Sequence, residues 1–330
     1  MRSLSKITVL DLSRLLPGGY ASLLLCEMGA RVIKIEQPGV GDYHRAVISG
    51  GLLPSHTRVI HQGKESLALD LKSKEGQEIF LKLVKKSDVV IESFRPHVLD
   101  KMGLGFRSLR KVQPKIILCS MTGFGQKGAQ SHMAGHDMNF VGLSGLFHKM
   151  RDRSGRPVLP DFQIADMAVG MEAAMKISAA LVERQKTKKG QHIDCSMLGA
   201  ARSWSRFCEF EKKESTILGG ALVRYGLYET LDGKWMTLGA LEDKFWKKFC
   251  GLIGKPEWKN LNFEEENEIR TNFEKVFKEK TQKEWTELGE KEDICLFPVE
   301  ENPDLTQYSK KTPQVGEQTR RLLQSVGVKL

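Results

Sequence analysis

The stretch "ITVLDLSRLLPGGYASLLLCEMGARVIKIE", residues 7–36, decides the fold class of this chain. Its first apolar run ends at a polar turn, and a Pro-Gly-Gly step then leads into a segment rich in Leu and Ala that is typical of a helix. A second β-branched run, "RVIKIE", follows directly. A strand, a helix and a strand in this order predict the start of a parallel, Rossmann-like sheet with a right-handed crossover.

The same helix-to-strand step recurs further along the chain. Residues 72–87 carry apolar side chains at helical spacing and run into the strand-like "DVVIESF", residues 88–94. Residues 115–125 supply another strand, and residues 165–185 form the longest amphipathic helical pattern, whose apolar side we expect to include Met171. The first strand-to-helix turn lacks the G-x-G-x-x-G pattern, so nothing favours a dinucleotide site there.

The second half of the chain has a different pattern. Two strand-like runs flank a Leu-Asp-Gly turn within residues 219–241, and helices rich in Lys and Glu follow. We therefore predict an α/β protein with a large Rossmann-like domain over residues 1–186, a linker over 187–218 and a smaller α+β domain over 219–305. Within the linker, "KKGQHIDCSML", residues 188–198, is expected to include a strand.

Composition narrows the class of protein and of partner. The 330 residues include 51 Lys and Arg against 41 Asp and Glu, a net charge of +10 that favours anionic ligands. The basic residues are spread through mixed-sign helices without a nucleic-acid-binding module, so we expect no nucleic-acid partner.

We also expect no membrane span, because no apolar run approaches about 18 residues. Six scattered cysteines without a CxxC pair predict reduced thiols and no metal site. The cytoplasm is the expected compartment, and the sequence leaves the peroxisome and the mitochondrion open.

One histidine stands between Gly-rich turns, in "SMTGFGQKG" (residues 120–128) and "MAGHDMNFVGLSG" (residues 133–145). An imidazole titrates near neutral pH, so His136 is suited to accept a proton in one direction and donate it in the other. The same spacing also fits a helix-capping or core histidine, and the residues alone leave these alternatives open.

Carboxylates at two predicted helix starts are the next candidates. Asp166 opens the long helix, where an Asp is commonly the N-cap but could also face a cleft as a proton carrier or nucleophile. Asp161 competes with it for that role. Glu242 follows a strand and opens a helix, where an acid ordinarily stabilises the helix dipole. Basic residues near strand ends could together contact the phosphates of an extended anionic ligand; they are Lys34, Lys64, Lys72, Arg95 and Lys101.

Seven ordered segments resemble the α-methylacyl-CoA racemase branch of the family III CoA-transferase (CaiB/BaiF) superfamily. The likeness begins with "LSRLLPGGYASLLLCEMGARVIKIEQPG", continues through "KESLALDLKSKEG", "SFRPHVLDKMGLG" and "SMTGFGQKG", and ends with "VGEQTRRLLQSVG". Between these lie "AGHDMNF", which resembles the element that marks the racemases, and "ADMAVGMEAAMKISAALVERQKTKKGQ". The resemblance implies the family III fold, in which residues 306–330 return to the large domain, and an interlocked homodimer.

The resemblance also implies roles for particular residues. His136 and Asp166 would be the two acid/base groups, and Glu242 would orient and polarise His136. The coenzyme A site would comprise Lys34, Leu69, Asp70, Leu71, Lys72, Arg95, Lys101, Gly135, Asp137, Asn139 and Phe140. No metal or redox cofactor would be needed, and coenzyme A would enter only as part of the thioester substrate.

The implied reaction inverts the α-carbon of a 2-methylacyl-CoA. One group removes the α-proton, a thioester enolate forms, and the other group returns a proton to the opposite face. We expect backbone N–H groups near Asp166 to stabilise the enolate oxygen. Two alternatives stay open: a CoA-transferase that uses Asp166 as its nucleophile, and a CoA-binding protein without catalysis. The sequence leaves the acyl group open.

Overall fold

The computed structural model describes residues 2–46, 54–152, 154–208, 217–306 and 309–328. The chain divides into two compact units, one formed by Met1–Cys208 with Thr306–Leu330 and the other by Glu209–Leu305. None of the helices in the described ranges is long and apolar enough to cross a membrane.

The first unit contains a six-stranded parallel sheet. Its strands are β1 (Thr8–Asp11), β2 (Arg31–Glu36), β3 (Glu65–Ala68), β4 (Val89–Glu92), β5 (Ile117–Thr122) and β6 (His192–Ser196). They lie in the order β3-β2-β1-β4-β5-β6, and every neighbouring pair is parallel. The predicted Rossmann-like α/β fold is therefore confirmed. The strand order reverses between β1 and β4, which is where open α/β sheets bind ligands.

Helices cover both faces of this sheet. They are α1 (Leu15–Glu27), α2 (Tyr43–Ala46), α3 (Pro54–Ile60), α4 (Lys74–Val84), α5 (Val98–Lys101), α6 (Phe106–Val112), α7 (Asp137–Ser144), α8 (Leu146–Lys149), α9 (Ile164–Thr187) and α10 (Met197–Ser205). Helices α1 and α9 share one buried cluster with one side of the sheet, and α4 and α6 share another with the opposite side. Burial on both faces explains why the strands are continuous apolar runs.

The long helix α9 packs through small residues. Five of its eleven buried residues are alanines, and at Gly170 an added Cβ would lie 2.9 Å from Tyr20 Cδ1 and 3.0 Å from the carbonyl oxygen of Pro17. Such close contact leaves no room for a side chain at that point of the contact with α1. Met171, the next residue, is 45% exposed, so its predicted place on the buried side is wrong.

The predicted linker over 187–218 is also wrong in its first part. Residues 192–205 form β6 and α10, and Cys195 of β6 is buried in the core of the first unit. The charged run "KTKKG" before β6 only marks the turn between α9 and that strand. Residues 209–216 of the predicted linker lie outside the described residues.

The second unit has a three-stranded antiparallel sheet. Strands β7 (Tyr225–Glu229) and β8 (Trp235–Gly239) form the predicted hairpin, and β9 (Leu296–Pro298) pairs with β8. Its helices are α11 (Asp243–Leu252), α12 (Phe263–Glu268), α13 (Arg270–Phe277) and α14 (Gln282–Glu292), with 3₁₀ turns at Ile217–Gly219 and Pro256–Asn260. An aromatic cluster that includes Trp246, Phe273 and Trp285 fills its core.

The chain then returns to the first unit. Helix α15 (Thr319–Ser325) buries Leu322 and Leu323 in the same cluster as α4. The side-chain oxygen of Gln318 accepts a hydrogen bond of 2.6 Å from the backbone N–H of Ser66 in β3. The edge strand is therefore partly covered by the C-terminal segment, which protects its free edge.

Candidate active site

A cavity of about 1130 Å³ opens at the carboxyl ends of the strands in the first unit. Its wall includes residues that directly follow β1, β2, β3 and β4, together with the end of β5. The cavity therefore spans the point where the strand order reverses, as expected for a ligand site in an open parallel sheet.

Most of the candidate residues line this cavity. Its lining includes Lys34, Leu69, Asp70, Leu71, Lys72, Arg95, Lys101, Gly135, His136, Asn139, Phe140 and Asp166. Asp137 is not among the lining residues. Glu242 belongs to the second unit, where it is the exposed N-cap residue of α11, and its partnership with His136 stays a prediction.

His136 is the N-cap residue of α7 and is exposed. Its backbone N–H donates to Asn139 Oδ1 over 2.9 Å, and the N–H of Asn139 donates back to the carbonyl oxygen of His136 over 2.9 Å. The histidine thus caps the helix through its backbone, while its imidazole lies on the cavity wall rather than in the core. Asn139 is engaged in this cap.

Asp166 lies in the first turn of α9 and is half-buried. The N-cap residue of that helix is Gln163, so the interpretation of Asp166 as the N-cap is wrong. Burial and, to a smaller extent, the negative charge of Asp137 raise the pKa of Asp166 to about 7. A carboxyl group with this pKa exchanges protons readily at neutral pH. Asp161 is exposed and does not line the cavity.

Asp137 connects the segment that carries His136 to the backbone of Asp166. Its Oδ1 accepts a hydrogen bond of 3.0 Å from the backbone N–H of Asp166, and the N–H groups of Ile164 and Ala165 also stabilise its carboxylate. Burial nevertheless raises the pKa of Asp137. These backbone N–H groups were expected to stabilise an enolate, but they are engaged by Asp137, so that expectation is wrong.

Lys34 lines the cavity but its charge is already neutralised. The ammonium lies 2.9 Å from Asp42 Oδ2 and 3.3 Å from Asp11 Oδ1, and the side chain is 1% exposed. Burial opposes the charge of Lys34, yet the two carboxylates together raise its pKa above the ordinary value. This geometry argues against a contact between Lys34 and a phosphate. Lys34 instead links β2 to β1 through its ion pair with Asp11.

Lys64, another predicted phosphate contact, is also buried. Its Nζ donates to Ser22 Oγ over 2.7 Å and to the carbonyl oxygen of Gly19 over 2.9 Å. Burial lowers its pKa to about 8. Lys64 is absent from the cavity lining and holds α1 against the sheet.

Three of the predicted cations do remain available. Lys72, Arg95 and Lys101 are exposed and line the cavity. Their side chains follow or flank the ends of β3 and β4. They form the cationic part of the wall that an extended phosphorylated ligand would meet.

Phe140 lines the cavity but is almost completely buried. It is 1% exposed, and its ring stands edge-on to Phe124 with centroids 5.3 Å apart. A Cβ at Gly123 or at Gly135 would lie 2.5 Å or 2.8 Å from its Cζ. The predicted ligand contact is therefore chiefly a packing residue, and the two glycines are needed for the close approach of the backbone to its ring.

The sequence profile of CoA-transferase family III matches residues 4–318. This chain belongs to CoA-transferase family III. It is therefore an enzyme of the superfamily that includes both CoA-transferases and racemases.

Family III proteins of both kinds resemble the chain to a similar degree. Alpha-methylacyl-CoA racemase from Homo sapiens is 34% identical over 309 residues, which cover 90% of this chain and 78% of that protein. Succinyl-CoA:glutarate CoA-transferase from Mus musculus is 31% identical over 326 residues, which cover 92% of this chain and 74% of that protein. Similarity alone therefore does not choose between the two reactions.

The family III fold is also found among solved structures. A CAIB/BAIF family protein from Brucella suis matches 98% of this chain and 99% of its own chain, with a TM-score of 0.82 at 23% sequence identity. At that identity the match concerns the fold, and the activity has to be argued from the site.

The sequence did not point to one further group on the cavity wall. Arg14, Tyr43 and Phe94 all line the cavity, and the guanidinium of Arg14 contacts both aromatic rings. The available signal was the position of Arg14 just after β1, at the reversal of strand order. Within the described residues, no cluster of three or more His, Cys, Asp or Glu side chains is placed to hold a metal ion.

Proposed function

We propose that this family III protein is an α-methylacyl-CoA racemase that inverts the α-carbon of 2-methylacyl-CoA thioesters. The observation that carries the proposal is the presence of His136 and Asp166 on the wall of one cavity. A two-base inversion requires one group that accepts a proton and one that donates a proton at the same carbon, and an imidazole and a carboxyl group can each take either role.

The reaction divides between the two residues. One removes the α-proton of the thioester, and its electron pair moves onto the carbonyl oxygen to give an enolate. The other delivers a proton to the opposite face of the same carbon. For the opposite epimer the roles exchange, which needs each group to alternate between base and acid. The raised pKa of Asp166, about 7, supports this alternation.

The coenzyme A moiety is assigned to the exposed cations of the wall. Lys72, Arg95 and Lys101 are suited to its phosphates, and Leu71 supplies a half-buried apolar contact beside them. Asp137 and Asn139 act indirectly, because their side chains hold the backbone that carries Asp166 and His136. Glu242 is assigned to orienting His136, and Glu242→Gln tests this assignment by its effect on exchange.

We further propose that the chain forms the interlocked homodimer implied by the family resemblance. An exposed apolar stripe on α9 supports an interface: Met171 is 45%, Met175 66% and Val182 64% exposed. Sedimentation of the purified chain tests this directly, and a monomer at micromolar concentration contradicts it.

A CoA-transferase is the second candidate, favoured by the similar identity of the glutarate CoA-transferases. Asp166 would attack the thioester carbonyl, release coenzyme A as the thiolate and hold the acyl group as a mixed anhydride. The thiolate would attack the Asp166 carbonyl of that anhydride to give an enzyme thioester and release the first acid as its carboxylate. The carboxylate of the second acid would attack the enzyme thioester, release the thiolate and form a second anhydride, and the thiolate would attack its acyl carbonyl to give the new acyl-CoA and free Asp166. An exposed imidazole on the cavity wall has no evident use in these steps, which favours the racemase.

One incubation separates the two candidates. A 2-methylacyl-CoA is mixed with the protein in deuterium oxide, and the α-carbon is followed by NMR with and without added succinate or glutarate. Deuterium at the α-carbon with loss of configuration supports the racemase. Coenzyme A transfer to the added acid without α-exchange, together with a hydroxylamine-sensitive adduct on Asp166, supports the transferase.

A further inference from the structure

The side chain of Arg14 is held between two aromatic rings on the cavity wall. Its guanidinium carbon lies 4.5 Å from the ring centroid of Tyr43 and 5.1 Å from that of Phe94. Nη1 also donates to the hydroxyl oxygen of Tyr43 over 2.8 Å. Stacking and one hydrogen bond fix the plane of the guanidinium and leave its other N–H groups for a ligand.

Hydrogen bonds also hold the backbone at Arg14 and Leu15. Its N–H donates to Ser93 Oγ over 2.8 Å, and the N–H of the next residue, Leu15, donates to Asp42 Oδ1 over 3.2 Å. Leu15 has a φ of 63°, in the left-handed region that a leucine rarely adopts. Surrounding contacts hold the turn in this disfavoured conformation, as is common where a functional side chain is positioned.

No carboxylate neutralises Arg14 within the described part of the chain. Among the acidic residues of the wall, Asp42 is paired with Lys34 at 2.9 Å and Glu36 with Arg45 at 2.8 Å. A half-buried guanidinium without an acidic partner raises the local potential and attracts an anionic group into the cavity.

Arg14 shares the cavity wall with Asp166, and the helices that begin near the two residues pack against each other. It begins the turn into α1, and α1 packs along α9 through the contact of the Pro17 carbonyl oxygen with Gly170. Gly170 is one helical turn beyond Asp166. Of the exposed cations assigned to the phosphates, Lys72 follows the edge strand β3 and Arg95 directly follows Phe94, so binding of free coenzyme A is the control that separates a phosphate contact of Arg14 from a carboxylate contact.

We infer that Arg14, with Tyr43 and Phe94, binds a carboxylate at the far end of the acyl group, so that the preferred substrates are thioesters of dicarboxylic acids. The inference rests on the proposed binding of acyl-CoA in this cavity. A planar guanidinium held in place by its neighbours forms two parallel hydrogen bonds to a carboxylate, which a neutral acyl chain cannot accept.

The test compares an acidic and a neutral substrate of similar length. Deuterium exchange at the α-carbon and calorimetric binding are measured for 2-methylglutaryl-CoA, esterified at the carboxyl next to the methyl group, and for 2-methylhexanoyl-CoA. Free coenzyme A is titrated in parallel. The proteins are the wild type, Arg14→Gln, Arg14→Lys and, as a matched control, Arg110→Gln at an exposed site on α6.

Arg14→Gln is expected to weaken binding of the acidic thioester by about 10- to 100-fold and to change binding of the neutral thioester and of free coenzyme A by less than about twofold. Arg14→Lys should recover part of the lost affinity, because an ammonium restores the positive charge but cannot form the two parallel hydrogen bonds of a guanidinium. An equal loss for all three ligands overturns the inference, since Arg14 would then contact the coenzyme A moiety. Unchanged binding of all three also overturns it.

The binding results test the carboxylate site independently of whether the protein is a racemase. Calorimetry reports on Arg14 whether or not the thioesters turn over. Absence of α-exchange from both thioesters in the wild type would contradict the proposed racemase, while a selective loss of acidic-thioester binding in Arg14→Gln would still support the carboxylate site.

Discussion

The side-chain carboxylate of Asp137 accepts a hydrogen bond of 3.0 Å from the backbone N–H of Asp166. Asp137 directly follows His136, so this bond ties the segment that carries the imidazole to the helix that carries the second candidate proton carrier. The charge of Asp137 adds to burial in raising the pKa of Asp166. One residue therefore both positions the pair and adjusts the proton affinity of one member.

The link between Asp137 and Asp166 predicts a shift in the pH dependence of exchange. Asp166 removes a proton only as the carboxylate, so exchange from the epimer that it deprotonates should increase as pH rises through about 7. Asp137→Asn keeps an acceptor oxygen but removes a negative charge. It should lower the pKa of Asp166 and move this rise to lower pH.

The measurement is kcat/KM for deuterium exchange across the pH range around neutrality. Glu183→Gln, at an exposed position near the far end of α9, is the matched control and should leave the profile unchanged. An Asp137→Asn profile that coincides with the wild type would contradict the proposed coupling.

Lys34 is predicted to act on stability rather than on ligand affinity. Lys34→Met removes the ammonium that lies between Asp11 and Asp42 and leaves both carboxylates buried with fewer partners. The free energy of unfolding should fall by about 3 kcal/mol or more, as when one partner of a buried pair is lost. Urea denaturation measures the change.

Lys72→Met serves as the comparison, because Lys72 is exposed and its loss should change the free energy of unfolding by no more than about 0.5 kcal/mol. Its effect should appear in KM for the thioester instead. A Lys34→Met protein of normal stability with a raised KM would favour the phosphate contact that the geometry argues against.

The close approach of the backbone to Phe140 gives a packing prediction. Gly135→Ala places a methyl group 2.8 Å from Phe140 Cζ and should lower the free energy of unfolding by about 1–3 kcal/mol through overpacking. Gly142→Ala is the control, since its Cβ meets only Phe147 at 3.7 Å and the change raises helix propensity.

A second variant identifies the clash as the cause. Phe140→Leu in the Gly135→Ala background removes the ring that the new methyl group meets, so the double variant should lose less than the sum of the two single losses. Strict additivity would show that the cost of Gly135→Ala arises elsewhere.

The sequence predicted the sheet where its strands are continuous apolar runs with a clear helix between them. Strands β1, β2, β4 and β5 were visible for this reason, because both faces of each are buried. The edge strand β3 was missed, since its four residues begin with Glu65 and give no such run. A strand was expected within residues 188–198, where β6 lies, but it was placed in a linker because a charged turn precedes it.

The candidate site was predicted only in part, for a different physical reason. His136 and Asp166 stand in recognisable segments, and the carboxyl ends of parallel strands bring them to one cavity. Whether a charge is free depends on partners far away in the sequence. The pairing of Lys34 with Asp11 and the bond between Asp137 and Asp166 arise from tertiary packing, which no local pattern encodes.

The most direct test of the two-base account is α-deuterium exchange measured separately from the two epimers of one 2-methylacyl-CoA. The proteins are the wild type, His136→Ala and Asp166→Asn. The account predicts that each variant abolishes inversion and lowers proton removal from one epimer by about 100-fold or more, with opposite epimers affected in the two variants. Equal exchange from both epimers in either variant would contradict it.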